Sequence, residues 1–264
     1  YPAVRILNGD LPHSDYFTLY TGGVFYFYAF LFKVFGVHIG VVRVALGLLV
    51  GLTSVMTVRI AERLVPGFWA FVPGLVFLFA FPINPTAYHS WYAVILGTAA
   101  LLSLIRFLEK GRPHYLLIAG LAAGCGFLSK QTMGAFTFSG LIAYLIWQYP
   151  LISGLRHAIW DRVIRTLCLF VAAFLYTLYI QPAWMRQPHI ACLFLSMLWL
   201  CPLIIWFSKD WNDGEDAAYL RPVLWTTAGF LFPLACYAGY FAWQGGLSDL
   251  IYGTFQYPGR FLDG

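Results

Sequence analysis

The chain has 264 residues, of which 61% are hydrophobic and only 10% are charged. Soluble domains carry about 25% charged residues, so the composition excludes an ordinary water-soluble domain and indicates a protein that crosses a membrane several times. The formal net charge of +5 is spread over short loops, where positive charge orients a membrane protein, and this argues against nucleic acid as a partner.

The first predicted element follows a polar loop. Residues 7–36 read LNGDLPHSDYFTLYTGGVFYFYAFLFKVFG, in which acidic residues lead straight into an aromatic segment. Phe and Tyr rings favour the headgroup level of a bilayer, and Lys33 lies within the segment, so we predict an interfacial helix within residues 19–36. An ordinary membrane crossing is the alternative. Residues 1–36 are thus predicted to form an outer loop and an interfacial helix.

Apolar runs then recur along the chain, most of them close to the roughly 20 residues that a helix needs to cross the hydrocarbon core. Helices satisfy their own backbone hydrogen bonds in lipid, so we predict an all-α fold, a polytopic transmembrane bundle of about eight spans over residues 37–244. The predicted crossings are residues 38–58, 67–82, 89–107, 114–130, 133–149, 164–182, 189–207 and 222–244. Residues 245–264 are predicted to form an extracytoplasmic tail or the start of a further loop.

The charges of the loops predict an orientation. Most Lys and Arg residues fall in alternate loops, which the positive-inside rule places in the cytoplasm. These are residues 58–67, 106–114, 155–165 and 208–221. Carried back to residue 36, the alternation keeps the polar loop on the outer side only if the aromatic segment does not cross the membrane.

The polar loop contains the first candidate site residues. Asp15 precedes the aromatic segment at the predicted membrane surface, where a carboxylate that is partly shielded from water can act as a general base. Asp before an apolar run also favours a turn or a helix N-cap, which is the alternative for Asp15. Asp10 and His13 lie in the same loop and are candidate substrate-binding residues.

Lys130 ends one predicted span, and the next begins almost immediately. An ionisable residue in a membrane segment is a functional candidate, and Lys130 would hold an anionic group at the outer face unless it merely extends towards the surface. Gly120, Gly124 and Gly126 permit close packing of the preceding helix, so we expect Lys130 to face protein. Arg43, near the outer end of its span, has the same two interpretations.

His89 lies in the sequence TAYHSWY, beside Tyr88, Trp91 and Tyr92. Aromatic rings around a polar side chain can stack on a sugar, which makes His89 a candidate substrate-binding residue. The alternative is the belt of aromatic residues that membrane proteins place at the lipid interface.

The sequence contains no Gly-rich phosphate-binding loop, HExxH motif or spacing typical of a catalytic triad. The five cysteines lie in apolar runs without a CxxC pair and are interpreted as core residues. We therefore predict no cofactor and no metal site. Acidic and basic candidates at an outer face among aromatic residues favour a lipid-borne anionic substrate over a soluble nucleotide.

Two phrases of the sequence resemble type-C (GT-C) membrane glycosyltransferases, the group that includes protein O-mannosyltransferases and aminoarabinose transferases. The first is LNGDLPHSDYFTLYTGGVFYFYAFLFKVFG with the nearby VVRVALGLL, similar to the first-loop signature of these enzymes. The second is IAGLAAGCGFLSKQTMG, similar to a glycine-rich helix that ends in Lys or Gln. His13 stands where Tyr is usual, and TGG replaces a turn that often contains proline.

The resemblance implies an enzyme that takes a sugar from a polyprenyl-phosphate carrier and gives it to an acceptor on the extracytoplasmic side of a membrane, for which the bacterial inner membrane is expected. It implies Asp15 as the base, and Lys130 with Arg43 as ligands of the carrier phosphate. The leading catalytic aspartate of the family is expected ahead of Tyr1, in a longer protein. The alternatives are a non-catalytic subunit of a larger membrane complex and a small-solute transporter.

Overall fold

The computed structural model describes residues 2–80, 89–148 and 220–256, together with five positions between residues 163 and 171. Over these residues the chain is helical, with no β-strand, which confirms the all-α prediction. The contacts group residues 1–141 and 225–257 in one compact unit and residues 142–224 and 258–264 in a second. The contacts discussed below all lie within the first unit.

The described helices follow the predicted apolar runs closely. They are α1 (Pro2–Leu7), α2 (Gly23–Phe35), α3 (Ile39–Ala61), a 3-10 turn (Gly67–Ala70) that continues into α4 (Phe71–Ala80), α5 (His89–Lys110), α6 (His114–Ser129), α7 (Gln131–Gln148), α8 (Leu220–Trp243) and α9 (Leu247–Ile251), which is followed by a π turn (Tyr252–Gln256). Helices occur at six of the eight predicted crossings. The crossings predicted at residues 164–182 and 189–207 lie almost entirely outside the described residues.

Three described helices are long and apolar enough to cross a membrane, and they coincide with α3, α5 and residues 221–243 of α8. Four shorter apolar helices accompany them. One of these is α2, whose 13 residues extend over about 20 Å at 1.5 Å per residue. The apolar helix Gly67–Phe79, at a predicted crossing, has the same length, so length does not separate an interfacial helix from a crossing, and the interfacial position of α2 stays a prediction.

Contacts at both ends of α5 define two ends of the bundle. Arg63, just after α3, forms an ion pair with Glu109 near the end of α5. At the start of α5, Ser90 accepts a hydrogen bond of 2.8 Å from the Nζ of Lys130, at the end of α6. We call these the Arg63 end and the Lys130 end. The loops predicted to face the cytoplasm after α3 and α5 both lie at the Arg63 end, as the alternation requires.

Helix α6 packs unusually close to α8. A Cβ atom on Gly120 would overlap the backbone oxygen of Thr226, and one on Gly124 would overlap that of Phe230. Gly229 of α8 meets the backbone of α6 in the same way. The predicted close packing of this glycine-rich helix is therefore confirmed, and it fixes the position from which Lys130 extends.

Candidate functional site

The polar loop at the Lys130 end is organised by Arg5, which lies in α1. The Nε of Arg5 is 2.6 Å from Oδ2 of Asp10, and its Nη2 donates a hydrogen bond of 3.0 Å to the backbone oxygen of Asp15. The guanidinium also lies 4.6 Å from the centre of the Tyr16 ring. Sequence reasoning missed Arg5, because an arginine in a short apolar helix carries no motif and its partners are set by the fold of the loop.

Asp15 caps a turn within this loop. Its Oδ2 accepts a hydrogen bond of 2.6 Å from the backbone N–H of Leu11, which is the turn role that the sequence left open. The described residues leave the Asp15 side chain exposed, so protein does not supply the shielding from water that the sequence analysis expected. The second carboxylate oxygen has no hydrogen bond from a described residue.

His13 is held where the loop meets the segment after α8. Its φ of 69° is left-handed, which is uncommon for a residue other than glycine, and its ring occupies the space that a side chain at Gly253 would need. Neither ring nitrogen has a partner with hydrogen-bond geometry among the described residues. Burial lowers the pKa of His13, and the nearby Thr21 backbone and Asp249 offset this only in part.

Lys130 and His89 lie together at the Lys130 end. Lys130 follows α6 with an extended backbone, and its partly buried side chain bonds to Ser90, next to His89 in sequence. The His89 ring lies 4.2 Å from the Tyr20 ring and 5.0 Å from the Phe25 ring, between centroids. The expectation that Lys130 faces protein is therefore confirmed.

The aromatic surroundings of His89 differ from those that its sequence neighbours indicate. Trp91 packs against Phe77, and Tyr92 contacts Tyr28 of α2. The rings on His89 come instead from residues 20 and 25, far away in sequence. Consecutive residues of a helix point in different directions, so Trp91 and Tyr92 turn away from the face that His89 presents.

The candidates thus form two groups. Asp10, His13 and Asp15 share the polar loop with Arg5, and we call these four residues the loop group. Lys130, Ser90, His89 and Tyr20 form the Lys130 group. No contact between described residues joins Asp15 to Lys130. Arg43 is exposed on α3 and makes no ion pair or hydrogen bond to a described residue, so the structure does not bring it to Lys130.

A metal site would need several ligating side chains close together. Within the described ranges, no three His, Cys, Asp or Glu side chains lie close enough together to hold a metal ion. Among the candidates, the acidic residues of the loop group are each engaged by Arg5 or by the backbone of the loop.

Residues 23–173 match the family of dolichyl-phosphate-mannose-protein mannosyltransferases. The match covers more than half of the 264 residues. The chain belongs to this family. No curated protein and no solved structure was found to match the chain.

Membership makes this chain a membrane glycosyltransferase of the GT-C type and confirms the resemblance drawn from the two phrases. It favours an enzyme over the non-catalytic subunit and the transporter. The matched region includes Arg43, His89 and Lys130 but begins after the loop group. The family match therefore bears on the surroundings of the Lys130 group, while the roles of individual side chains are proposals.

Proposed function

We propose that this family member transfers a sugar, mannose by the description of the family, from a polyprenyl-phosphate carrier to an acceptor at the extracytoplasmic face of a bacterial inner membrane. The observation that carries the proposal is the position of Lys130, which lies partly buried beside His89 and the aromatic rings of the first loop and α2. A cation next to packed aromatic rings suits a ligand that joins a phosphate to a sugar.

The transfer reaction requires a base at the acceptor hydroxyl and a cation at the leaving phosphate. The acceptor hydroxyl oxygen forms a bond to the anomeric carbon of the sugar, and the bond from that carbon to the phosphate oxygen breaks, with its electron pair leaving on the phosphate. A base takes the hydroxyl proton. A cation placed beside the phosphate stabilises the negative charge that develops there.

Lys130 is suited to the second task. Its ammonium group has three N–H donors, and Ser90 accepts one of them at 2.8 Å. No described residue accepts the other two, which we assign to phosphate oxygens. Because the side chain is partly buried, its charge acts on a bound anion more strongly than it would in bulk water. We assign Lys130 to the carrier phosphate and His89, with Tyr20 and Phe25, to the sugar.

Asp15 is our candidate for the base. The hydrogen bond from Leu11 fixes one carboxylate oxygen and leaves the other for an acceptor hydroxyl. Asp10 and His13 are proposed to contact the acceptor from the same loop. Arg43, exposed on α3, is proposed to meet the carrier phosphate before it reaches Lys130. The donor would then occupy the Lys130 group, and the acceptor would lie between the two groups.

Asp15→Asn tests the assignment of the base. The amide oxygen can still accept the hydrogen bond from Leu11, so the loop should keep its shape, but the side chain can no longer take a proton. We expect mannose transfer from dolichyl phosphate mannose to fall by about 10²- to 10⁴-fold, measured with the full protein in proteoliposomes.

Asp249→Asn is the matched control, because Asp249 is also exposed and accepts a hydrogen bond from Ser14 of the same loop. This variant should transfer mannose at the wild-type rate. Wild-type transfer by Asp15→Asn would leave Asp15 with the turn role alone.

A further inference from the structure

The short segment between the loop group and α2 is fastened to two distant helices. Thr21 is 2% exposed, and its hydroxyl lies 3.1 Å from the backbone oxygen of Phe127 and 2.5 Å from that of Leu128, at the end of α6. The last carbonyl groups of a helix lack partners within the helix. The Thr21 hydroxyl therefore supplies a hydrogen bond that α6 needs at the residue pair just before Ser129 and Lys130.

A second fastening comes from α8. The hydroxyl of Tyr237 donates a hydrogen bond of 2.5 Å to the backbone oxygen of Thr21, although the two residues are 216 positions apart in the sequence. The Tyr237 ring is held in turn by Tyr26 of α2 and Phe241, whose ring centroids lie 5.7 Å and 4.9 Å away. Tyr237 thus forms a hydrogen bond with Thr21, the same residue whose hydroxyl contacts the end of α6.

Two glycines allow this fit. Gly22 has a left-handed φ of 88°, and a Cβ atom there would lie 3.0 Å from the Tyr237 hydroxyl. A Cβ atom on Gly23 would lie 2.6 Å from the Leu128 oxygen. A side chain at either position would push the segment away from α6 or α8. This accounts for the TGG sequence, which departs from the proline-containing turn common in the family.

The fastened segment carries one wall of the Lys130 group. Tyr20, directly before Thr21, lies against His89, and Gln131, directly after Lys130, donates a hydrogen bond of 3.2 Å to the backbone oxygen of Leu19. A movement of Thr21 would therefore carry Tyr20 off His89 and pull on the turn that holds Lys130.

We propose that Tyr237 and Thr21 are positioning residues that set the distance between the aromatic wall on His89 and the ammonium group of Lys130. Neither residue touches the donor. They act through Tyr20 and through the α6 carbonyls, and their effect on catalysis rests on the proposed use of the Lys130 group for the carrier phosphate and its sugar.

Tyr237→Phe removes only the hydroxyl that grips Thr21. Hydrogen exchange measured by mass spectrometry on the full protein in nanodiscs should show faster exchange of the backbone amides of residues 19–23. Exchange at the C2 position of the His89 imidazole should also accelerate, because Tyr20 then shields the ring less. The KM for dolichyl phosphate mannose should rise about fivefold, the size expected for one lost hydrogen bond, with a smaller change in kcat.

Three further variants control this experiment. Tyr115→Phe removes a phenol hydroxyl from the start of α6, at the Arg63 end, and should behave as wild type at His89. Thr21→Val keeps the shape but loses the hydroxyl and should reproduce Tyr237→Phe. Thr21→Ser keeps the hydroxyl, so its exchange at His89 and its donor KM should equal those of the wild type. A purely structural role would lower the melting temperature without this pattern.

The exchange measurements need no substrate, so they separate two failures. Wild-type exchange at His89 in both Tyr237→Phe and Thr21→Val would overturn the positioning role, whatever the activity. Faster exchange at His89 with an unchanged donor KM would also overturn it. If the wild-type protein transfers no mannose but the exchange pattern is as expected, the proposed function is overturned. The effect of Tyr237 and Thr21 on the position of Tyr20 against His89 then still stands.

Discussion

At the scale of single residues, the polar loop is a compact structure held by charge and backbone hydrogen bonds. Arg5 contacts both Asp10 and the Asp15 backbone, and Ser14 donates a hydrogen bond of 2.7 Å to Asp249. Burial, the largest cause, raises the pKa of Tyr16 to about 12, so this phenol stays neutral under Arg5 at physiological pH. The loop group therefore presents its carboxylates in one defined arrangement.

His13 makes this loop sensitive to acid. Its folded pKa lies below the usual value of about 6.5 because burial disfavours the charged ring, so the folded state binds the proton less tightly than the unfolded state. The stability contributed by neutral His13 is present above pH 6.5 and is lost as the pH falls through 6.5 towards the folded pKa. The protection of the backbone amides of residues 10–16, measured as the ratio of the intrinsic to the observed exchange rate at each pH, should therefore fall between pH 7.5 and pH 5.5.

His13→Asn provides the control for this pH effect, because Asn tolerates a left-handed backbone and does not titrate. The variant should lose most of the pH dependence of this protection, even if its loop is looser at every pH. A pH dependence of protection as large as that of the wild type would assign the effect to a group other than His13.

At the scale of helices, glycine placement distinguishes tight contacts from open surface. Gly120 of α6 meets the backbone of α8 directly, whereas Gly47 of α3 has no atom of a described residue within 4 Å of the space that a Cβ would fill. Both lie inside helices, so both pay the same backbone cost for lacking a side chain. Substitution by alanine should consequently have opposite effects at the two positions.

Gly120→Ala should destabilise the protein by about 1 to 3 kcal/mol, the usual cost of overpacking, because α8 must move to make room. Gly47→Ala should stabilise it by up to about 1 kcal/mol through helix propensity alone. The measurement is unfolding of both variants in the same detergent. Equal effects of the two substitutions would show that α6 and α8 are not in backbone contact at Gly120.

The elements differ in how far the sequence predicts them. Apolar runs predict α3, α5 and α8, because crossing a bilayer constrains both length and composition. The glycines of α6 indicate its close packing against a neighbouring helix. The partners of Arg5 and Tyr237 could not be found in this way. Tyr237 is one of 17 tyrosines in the chain, and only the fold places its hydroxyl on Thr21, 216 positions away.

At the scale of the whole molecule, the polar loop and the Lys130 group lie at one end of the described bundle, where the proposed reaction would take place. The starts of α2 and α5, the end of α6 and the polar loop meet at the Lys130 end, and the Arg63 end gathers the basic loops after α3 and α5. This separation agrees with the alternation of charge along the sequence. The orientation itself, with the Lys130 end extracytoplasmic, is part of the proposal.

The same scale bears on the proposal that two groups of candidates serve one reaction. In the proposed reaction, a lipid carrier would reach its site from the bilayer, and an acceptor hydroxyl would reach its site from the aqueous side. The Lys130 group lies among apolar helices, while Arg5 and Asp15 of the loop group are exposed. The segment around Thr21 joins them, so the sugar would be transferred where the two groups meet.

The most direct test of the central claim is the kcat/KM for dolichyl phosphate mannose with Lys130→Gln, measured with the full protein in proteoliposomes. Loss of a charge-assisted hydrogen bond to the carrier phosphate should lower kcat/KM by about 10- to 100-fold. Lys33→Gln, which removes an exposed cation from α2, should leave it unchanged. A Lys130→Gln enzyme with the wild-type kcat/KM would contradict the assignment of the carrier phosphate to Lys130.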